Sequence, residues 1–262
     1  MNSHQSLTLV SAITDWEVLR ENLLASPCLH TDRPLQFIFK QGYSAAGLAY
    51  NEALEAARHD LVIFVHQDVY LPEQWLDQVM TSIVALETFD PHWGVLGCYG
   101  RSRDHALGIG RVYTTGCQWH GSRILQPVQV DTLDEIVLIV RQSAGLRFDG
   151  RLPFFHLYGT DLCLTAGDAG MNSYVLPAPC IHNTHQMIEL PPEYHACYFY
   201  IKSKWKTCLP IPAPCSRISW WNEDIYLKKC RSFIRCLLGK PSVRLSRVRQ
   251  PASLFRHLCA DL

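Results

Sequence analysis

Apolar residues in the first hundred positions fall in short, nearly unbroken runs, and most runs are followed by a stretch with helical spacing. "LTLVSAI" (7–13), "LQFIFK" (35–40), "LVIFV" (61–65) and "WGVLGCYG" (93–100) have the length and continuity of strands covered on both faces. Between them, "DWEVLRENLLAS" places Trp16, Leu19, Leu23 and Leu24 on one helical face, with Asp15 as its N-cap. "SAAGLAYNEALEAAR" (44–58), capped by Ser44, and "EQWLDQVMTSIVALET" (73–88) are the next two helices. Strands alternating with helices of this length predict βαβ units and a mainly parallel sheet flanked by helices.

The pattern then changes. Residues 101–130 are rich in Gly, Arg and Thr and predict a loop or short hairpins. "EIVLIVR" (135–141) is a further strand, "TDLCLTAGDAG" (160–170) a short helix closed by Gly170, and "NSYVLPAP" (172–179) a last strand. Helical spacing returns at 193–206. "LPIPAP" (209–214) predicts a linker, and 222–239 a helix in a C-terminal extension. The resulting division is a domain over 1–210 and a basic helical extension over 211–262.

Apolar content of 48% against 18% charged residues describes a globular chain, and 262 residues suffice for one substantial core. Net charge is zero but unevenly spread. From Lys228 to Leu262 there are nine Lys/Arg and one acidic residue, leaving 15 basic and 23 acidic residues in the rest. A basic tail with Trp220, Trp221, Phe233 and Phe255 suits an anionic membrane surface, here residues 228–257. The same composition suits nucleic acid, which ranks lower, or a solvated helix packed on the acidic body. Eleven cysteines include no Cys-x-x-Cys pair and read as reduced, mostly buried thiols. The N-terminal "MNSHQS" lacks the features of a secretory signal and no apolar run approaches the length of a membrane span, so the expected location is cytoplasmic, with peripheral contact at the inner face of the membrane through the tail.

Candidate chemistry gathers where strands end. In an open parallel sheet, ligands bind beyond the carboxyl ends of the strands. The buried run 61–65 leads into His66, Gln67 and Asp68, and residues two apart in an extended segment share a face. An imidazole and a carboxylate there suit a divalent metal. The alternative is a turn or helix cap at Asp68 and a hydrogen-bonded core histidine at 66. Asp161 lies near a helix N-terminus, where it serves either as a cap or as a general base. His182 and His185 follow another strand, and Asp131 and Asp134 precede one. Each of these also has an ordinary reading as a loop residue.

Taken in order, "AYNEALEAARHDLVIFVHQDVYLPEQWLDQ", "VDTLDEIVLIVR", "LRFDGRLPFFHLYGTDLCLTAGDAG" and "VLPAPCIHNTH" resemble glycosyltransferase family 2, in particular its streptomycin-biosynthesis-like branch, which has His-Gln-Asp in place of Asp-x-Asp. The resemblance covers about residues 7–210 and implies the α/β GT-A fold. It implies a metal-dependent, inverting transfer of a sugar from a nucleotide-diphosphate donor to an acceptor hydroxyl. Asp68 matches the position that holds Mn2+ or Mg2+ on the diphosphate, His182 the late histidine of the same site, and His66 a nucleotide or sugar contact. Asn51 and Asp134 match donor-binding positions, and Asp161 matches the general base. The acceptor is a glycan, a lipid-linked glycan or a small molecule.

Two positions depart from the family pattern. Lys40 and Gln41 end the second strand where an acidic residue is common, which leaves the base open. Gly159 stands where relatives carry a further carboxylate. The latter motivates a second reading, a non-catalytic sugar-nucleotide or glycan-binding protein of the same fold. A metal-dependent hydrolase or nucleotidyltransferase using Asp68 and the histidines is the third.

Overall fold

The structure, a computed structural model, describes residues 6–114, 118–184, 190–239, 247–248 and 250–251. Its centre is a seven-stranded sheet. The strands are β1 (Leu7–Ile13), β2 (Leu35–Gln41), β3 (Leu61–Val65), β5 (Val95–Gly97), β10 (Val128–Val130), β12 (Val137–Arg141) and β13 (Ser173–Val175), in the order β10-β13-β5-β12-β3-β1-β2. Five of them run in the same direction; β12 and β10 run against their neighbours. This is the expected α/β architecture with a mainly parallel sheet. The antiparallel β12 was not visible in the sequence, because a fully buried apolar run reads the same in either direction.

Alternate side chains of each central strand enter two cores. Val10, Val62, Phe64, Leu138 and Val140 face the helices α2 (Ala46–Ala56), α4 (Tyr158–Asp168) and α5 (Pro192–Lys204). Leu9, Ile63, Val65, Val137 and Ile139 face α1 (Trp16–Glu21) and α3 (Trp75–Glu87), where Trp75 and Val79 are fully buried. The period of two thus sends one buried run into both layers.

Local expectations meet mixed outcomes. Asp15 does cap α1, its Oδ1 accepting from Glu17 N at 2.8 Å and Val18 N at 3.3 Å. Gly170 takes φ +76° just past α4, as a helix-terminating glycine does. The second helix starts at Ala46, with Ala45 rather than Ser44 at its N-cap and no side-chain cap. The run 93–100 breaks after Gly97, where a Cβ would lie 2.9 Å from Val137 O. Its second part becomes β6 (Tyr99–Arg101), which joins β11 (Thr132–Leu133) and β7 (Ile109–Gly110) in a separate small sheet.

A four-stranded sheet closes one end: β4 (Val69–Tyr70), β14 (Cys180–His182), β8 (Val112–Thr114) and β9 (Gln118–His120). The Pro-rich segment read as a linker forms a hairpin, β15 (Ile211–Pro212) with β16 (Arg217–Ile218), and Ile211, Ala213 and Ile218 are buried in the α2/α4/α5 core. Its prolines leave few donors to pair, and a two-residue ladder is all that forms. The chain then enters α6 (Glu223–Leu237).

Gly47 sits where α2 crosses the backbone of residues 149–150. A Cβ there would lie 2.3 Å from Asp149 O. Alanine raises helix propensity by about 1 kcal/mol, but the clash is with backbone and forces α2 outward. Gly47→Ala is expected to lower stability by about 2 kcal/mol, read from urea unfolding.

Candidate metal and diphosphate site

The end of β3 is tied to the end of β1 by one side chain. Gln67 Oε1 accepts from Thr14 N at 2.9 Å and Asp15 N at 3.1 Å, and its Nε2 donates to Thr14 Oγ1 at 2.7 Å. The middle residue of His-Gln-Asp therefore fixes the turn that carries the other two. Residues 66–69 make that turn, closed by Val69 N to His66 O at 3.2 Å, so His66 and Asp68 converge through a turn and not through strand alternation.

Strand pairing brings the third group. β4 runs antiparallel to β14 with His182 opposite Val69, and Asn183 N donates to Asp68 O at 2.8 Å. His182 Nε2 lies 3.3 Å from Asp68 Oδ1. One donor atom from each of His66, Asp68 and His182 falls within 4.8 Å of the others. Two imidazoles and a carboxylate at this separation form a donor set for a divalent transition metal, and the spacing fits a single ion.

Burial alone would raise the Asp68 carboxyl, but His182, His66 and Arg247 around it hold it well below the usual carboxylate range. Burial lowers the His66 imidazole to about 4, so it is neutral near neutral pH and able to ligate. Burial also opposes protonation of His182, and Asp68 beside it raises its pKa above the ordinary value. His66 Nε2 is 2.8 Å from Tyr158 Oη, whose hydroxyl lies 3.2 Å from Glu135 O. These contacts orient the ring from behind, as outer partners of metal-site histidines do. Tyr158 in turn belongs to an aromatic cluster with Tyr50, Phe64 and Phe148, with ring centroids 4.8–6.0 Å apart.

A cavity of about 480 Å3 opens beside the cluster. It is lined at the ends of three adjacent parallel strands by Thr14, Lys40, Gln41, Tyr43, His66 and Asp68. The size suits a nucleotide-sized ligand, and the position is the ligand edge that an open parallel sheet offers. A larger cavity of about 580 Å3 lies under α3, near Arg111 and Arg123, and none of the three clustered residues lines it.

Arg247, from the C-terminal segment, has its Nη2 3.4 Å from Asp68 Oδ2, while its Nε is buried with no hydrogen-bond partner among the described residues. The segment is held by a reciprocal pair: Val248 N donates to Asn183 Oδ1 at 2.9 Å and Asn183 Nδ2 donates to Val248 O at 2.7 Å. Nothing in the local sequence marked Arg247 or Asn183, because their contacts cross 179 and 65 residues. Tyr158 was within a quoted motif but carried no signal of its own.

The other candidates lie in different settings. Both ends of the Asn51 amide are used by the backbone of Phe148, at 2.8 and 2.9 Å, so it pins the loop before α4 and does not line the cavity. Asp134 Oδ1 accepts from Ile136 N at 3.1 Å, and burial raises its carboxyl against the opposing charge of His182. Asp161 is 1% exposed. Its carboxylate accepts from Trp205 Nε1 at 2.7 Å and pairs with Lys204 Nζ at 2.8 Å, and Lys204 also pairs with Asp149 at 2.7 Å. Burial raises the Asp161 carboxyl against these hydrogen bonds. His185 and Phe255 lie outside the described residues.

Gly159 packs its α-carbon into the β11–β12 junction; a Cβ would lie 2.9 Å from Leu133 O and 3.3 Å from Glu135 N. The carboxylate beside this turn is Glu135, whose Oε1 accepts from Leu157 N at 2.9 Å. Burial and the adjacent Asp134 raise its carboxyl well above the usual range. A raised carboxyl pKa in the folded chain means that, as pH climbs past the ordinary value, the unfolded chain loses a proton that the folded chain keeps, and stability falls. Glu135→Gln keeps the acceptor for Leu157 N and removes this loss. Its melting temperature should exceed that of the parent, by more at about pH 8 than at about pH 5.

Comparisons with known proteins complete the description. No protein-family model matches the chain. A curated protein called "ATP synthase subunits region ORF 6", from Fuscovulum blasticum, is 30% identical over 142 residues, 52% of this chain. The chain spans 57% of that relative's length. Similar solved structures include GalNAc-T7 with UDP, GalNAc and Mn2+ (9% identity, 92% of this chain and 59% of that one, TM-score 0.49). They also include S. aureus TarS 1–349 in complex with UDP (15% identity, 76% of this chain and 65% of that one, TM-score 0.49).

Proposed function

We propose that this chain is a GT-A-type glycosyltransferase that binds a nucleoside-diphosphate sugar through a divalent cation held by His66, Asp68 and His182. The observation that carries the reading is the convergence of these three side chains at the carboxyl edge of the parallel strands, against a cavity of about 480 Å3. Its support from the chain itself is the ordered set of family 2-like motifs that contributes the same residues. With two imidazoles in the donor set, Mn2+ suits the site better than Mg2+.

A bound cation would offset the charge that builds on the departing diphosphate. Around it, the chain supplies three further functions. Arg247 carries a guanidinium next to Asp68, a charge suited to a phosphate. Tyr158 holds the His66 ring in place. Thr14, Lys40, Gln41 and Tyr43 frame the space for the nucleoside. Inversion at the anomeric carbon needs a carboxylate to take the acceptor proton. Asp161 is occupied by Lys204 and Trp205, and we assign it to joining α4 to α5. Glu135, whose carboxyl accepts from Leu157 N at the start of α4, is the group left for that role, acting through the minority ionised form that its raised pKa leaves near neutral pH. The acceptor class is a hydroxyl on a glycan, lipid-linked glycan or small molecule.

The packed Gly159 favours a second reading, a sugar-nucleotide-binding protein without turnover. One assay separates the two. Thermal shift against a panel of sugar nucleotides with and without Mn2+ should give a Mn2+-dependent stabilisation that Asp68→Ala and His182→Ala each reduce at least about tenfold in apparent affinity. Release of nucleoside diphosphate with an acceptor then marks the transferase, and stabilisation without release marks the binding protein. A shift that is equal with and without Mn2+ in all three proteins removes the metal assignment.

The two carboxylates are distinguished by a second experiment. Asp161→Asn leaves Lys204 without its buried partner, so stability should drop by about 1–3 kcal/mol and transfer should fall only with the folded fraction. Glu135→Gln should lower transfer about 100-fold or more while donor binding holds. If Asp161→Asn loses transfer at unchanged stability, the base role returns to Asp161.

A further inference from the structure

The helix α6 follows two exposed tryptophans, Trp220 and Trp221, the latter 85% exposed. Its first turn is fastened to the body. Ile225 is buried in the main core, Ser219 Oγ bonds the Glu223 carboxylate, and Arg217 N donates to Asp224 Oδ2 at 2.7 Å. Both acidic groups of the helix are thereby used locally.

Beyond this turn Lys228 Nζ still bonds Cys215 O, but the apolar side chains leave the body. Tyr226, Leu227, Phe233, Ile234, Leu237 and Leu238 are each more than half exposed. Their spacing, with exposed Cys230 among them, is the 3-4 repeat of a single helical face. Ile225 lies on nearly the opposite side of the wheel. The residue that docks the helix thus turns its apolar face away from the protein. Lys228, Lys229, Arg231 and Arg235 occupy the remainder, with no acidic residue after Asp224 in the helix.

Such a face in water needs an occupant, and the charges choose among the candidates. A second copy packing face to face would set eight cations around one seam with no anion beyond the first turn of either helix. Nucleic acid would meet the cations but leave the apolar stripe wet. An anionic bilayer meets both, with the stripe in the acyl boundary and the cations among headgroups. Trp220, under Lys206 at 6.0 Å, and Trp221 stand at the helix entrance, where amphipathic rings suit the interface.

We propose that α6 is a membrane-surface anchor, lying flat on anionic lipid with its 226–238 stripe inserted. Residues 1–227 carry an acidic excess of 23 to 15, which an anionic surface repels, so contact is confined to this helix. The anchor stands independently of the reading of the His66–Asp68–His182 cluster.

The test is co-sedimentation of the full chain with vesicles of phosphatidylcholine alone and of phosphatidylcholine with about one third phosphatidylglycerol. Binding to the mixed vesicles should be at least about tenfold tighter, and weaken several-fold at about 0.5 M salt. The double variant Phe233→Asp/Leu237→Asp should lose binding by the same factor, while its melting temperature is unchanged, because both positions are exposed. Arg231→Glu/Arg235→Glu should reduce binding of the mixed vesicles to the level of phosphatidylcholine alone. Equal binding to both vesicles, binding undiminished in the Asp double variant, a solution dimer abolished by that variant, or tighter binding to duplex DNA than to the mixed vesicles would each overturn the anchor.

Discussion

The Asp68 carboxylate is 7% exposed and charged, and much of the fold around it answers that constraint. A buried ionised carboxylate without partners costs several kcal/mol. Here its compensation comes from two remote parts of the chain and from its own turn. β14 delivers His182 by pairing with β4, the turn after β3 delivers His66, and the C-terminal segment delivers Arg247 through its hold on Asn183. Each partner arrives on an element that is itself fixed: β3 to β1 through Gln67, and Tyr158 through the aromatic cluster with Tyr50, Phe64 and Phe148. The donor set is therefore held before any ligand arrives, which is the condition for tight and selective cation binding.

The sequence carried those features that short-range physics decides. Buried runs such as 61–65 announced strands, the 44–58 and 73–88 spacings announced helices, and Asp15 and Gly170 announced helix ends. Topology then placed His66 and Asp68 at the ligand edge. Other features depend on partners far away in sequence. The direction of β12, the β4–β14 register and the Arg247 contact are set by pairings that leave no periodic trace. The 209–214 prolines read as a linker because Pro content signals broken ladders, yet Ile211 and Ala213 between them are buried, and burial is decided by what lies opposite.

Asp161 and Gly159 sit in the first turn of one helix and bear on the same question of which carboxylate does what. Asp161 stands in the first turn of α4, where the macrodipole favours its charge. That placement is common to a base and to a structural acid. Lys204 and Trp205, from the end of α5, take up both oxygens, and the structural assignment proposed above rests on those contacts. Gly159 works in the opposite sense. With no side chain it lets α4 press against the β11–β12 junction, which brings the Glu135 carboxylate onto the backbone amide of Leu157.

Arg247 adds a further consequence for the proposed donor site. A guanidinium and a divalent cation next to the same Asp68 oxygens repel each other unless an anion lies between them. The diphosphate of a donor is such an anion, carrying enough negative charge for both. Were a donor and a cation bound as proposed, each would favour the other: with the cation alone Arg247 would be repelled from Asp68, and with the diphosphate between them it would not. The Val248–Asn183 pair keeps Arg247 close in either case, so the energetic difference between the two situations falls on the charges and not on ordering the segment. Cooperation between donor and metal would then follow from one arginine delivered by the end of the chain.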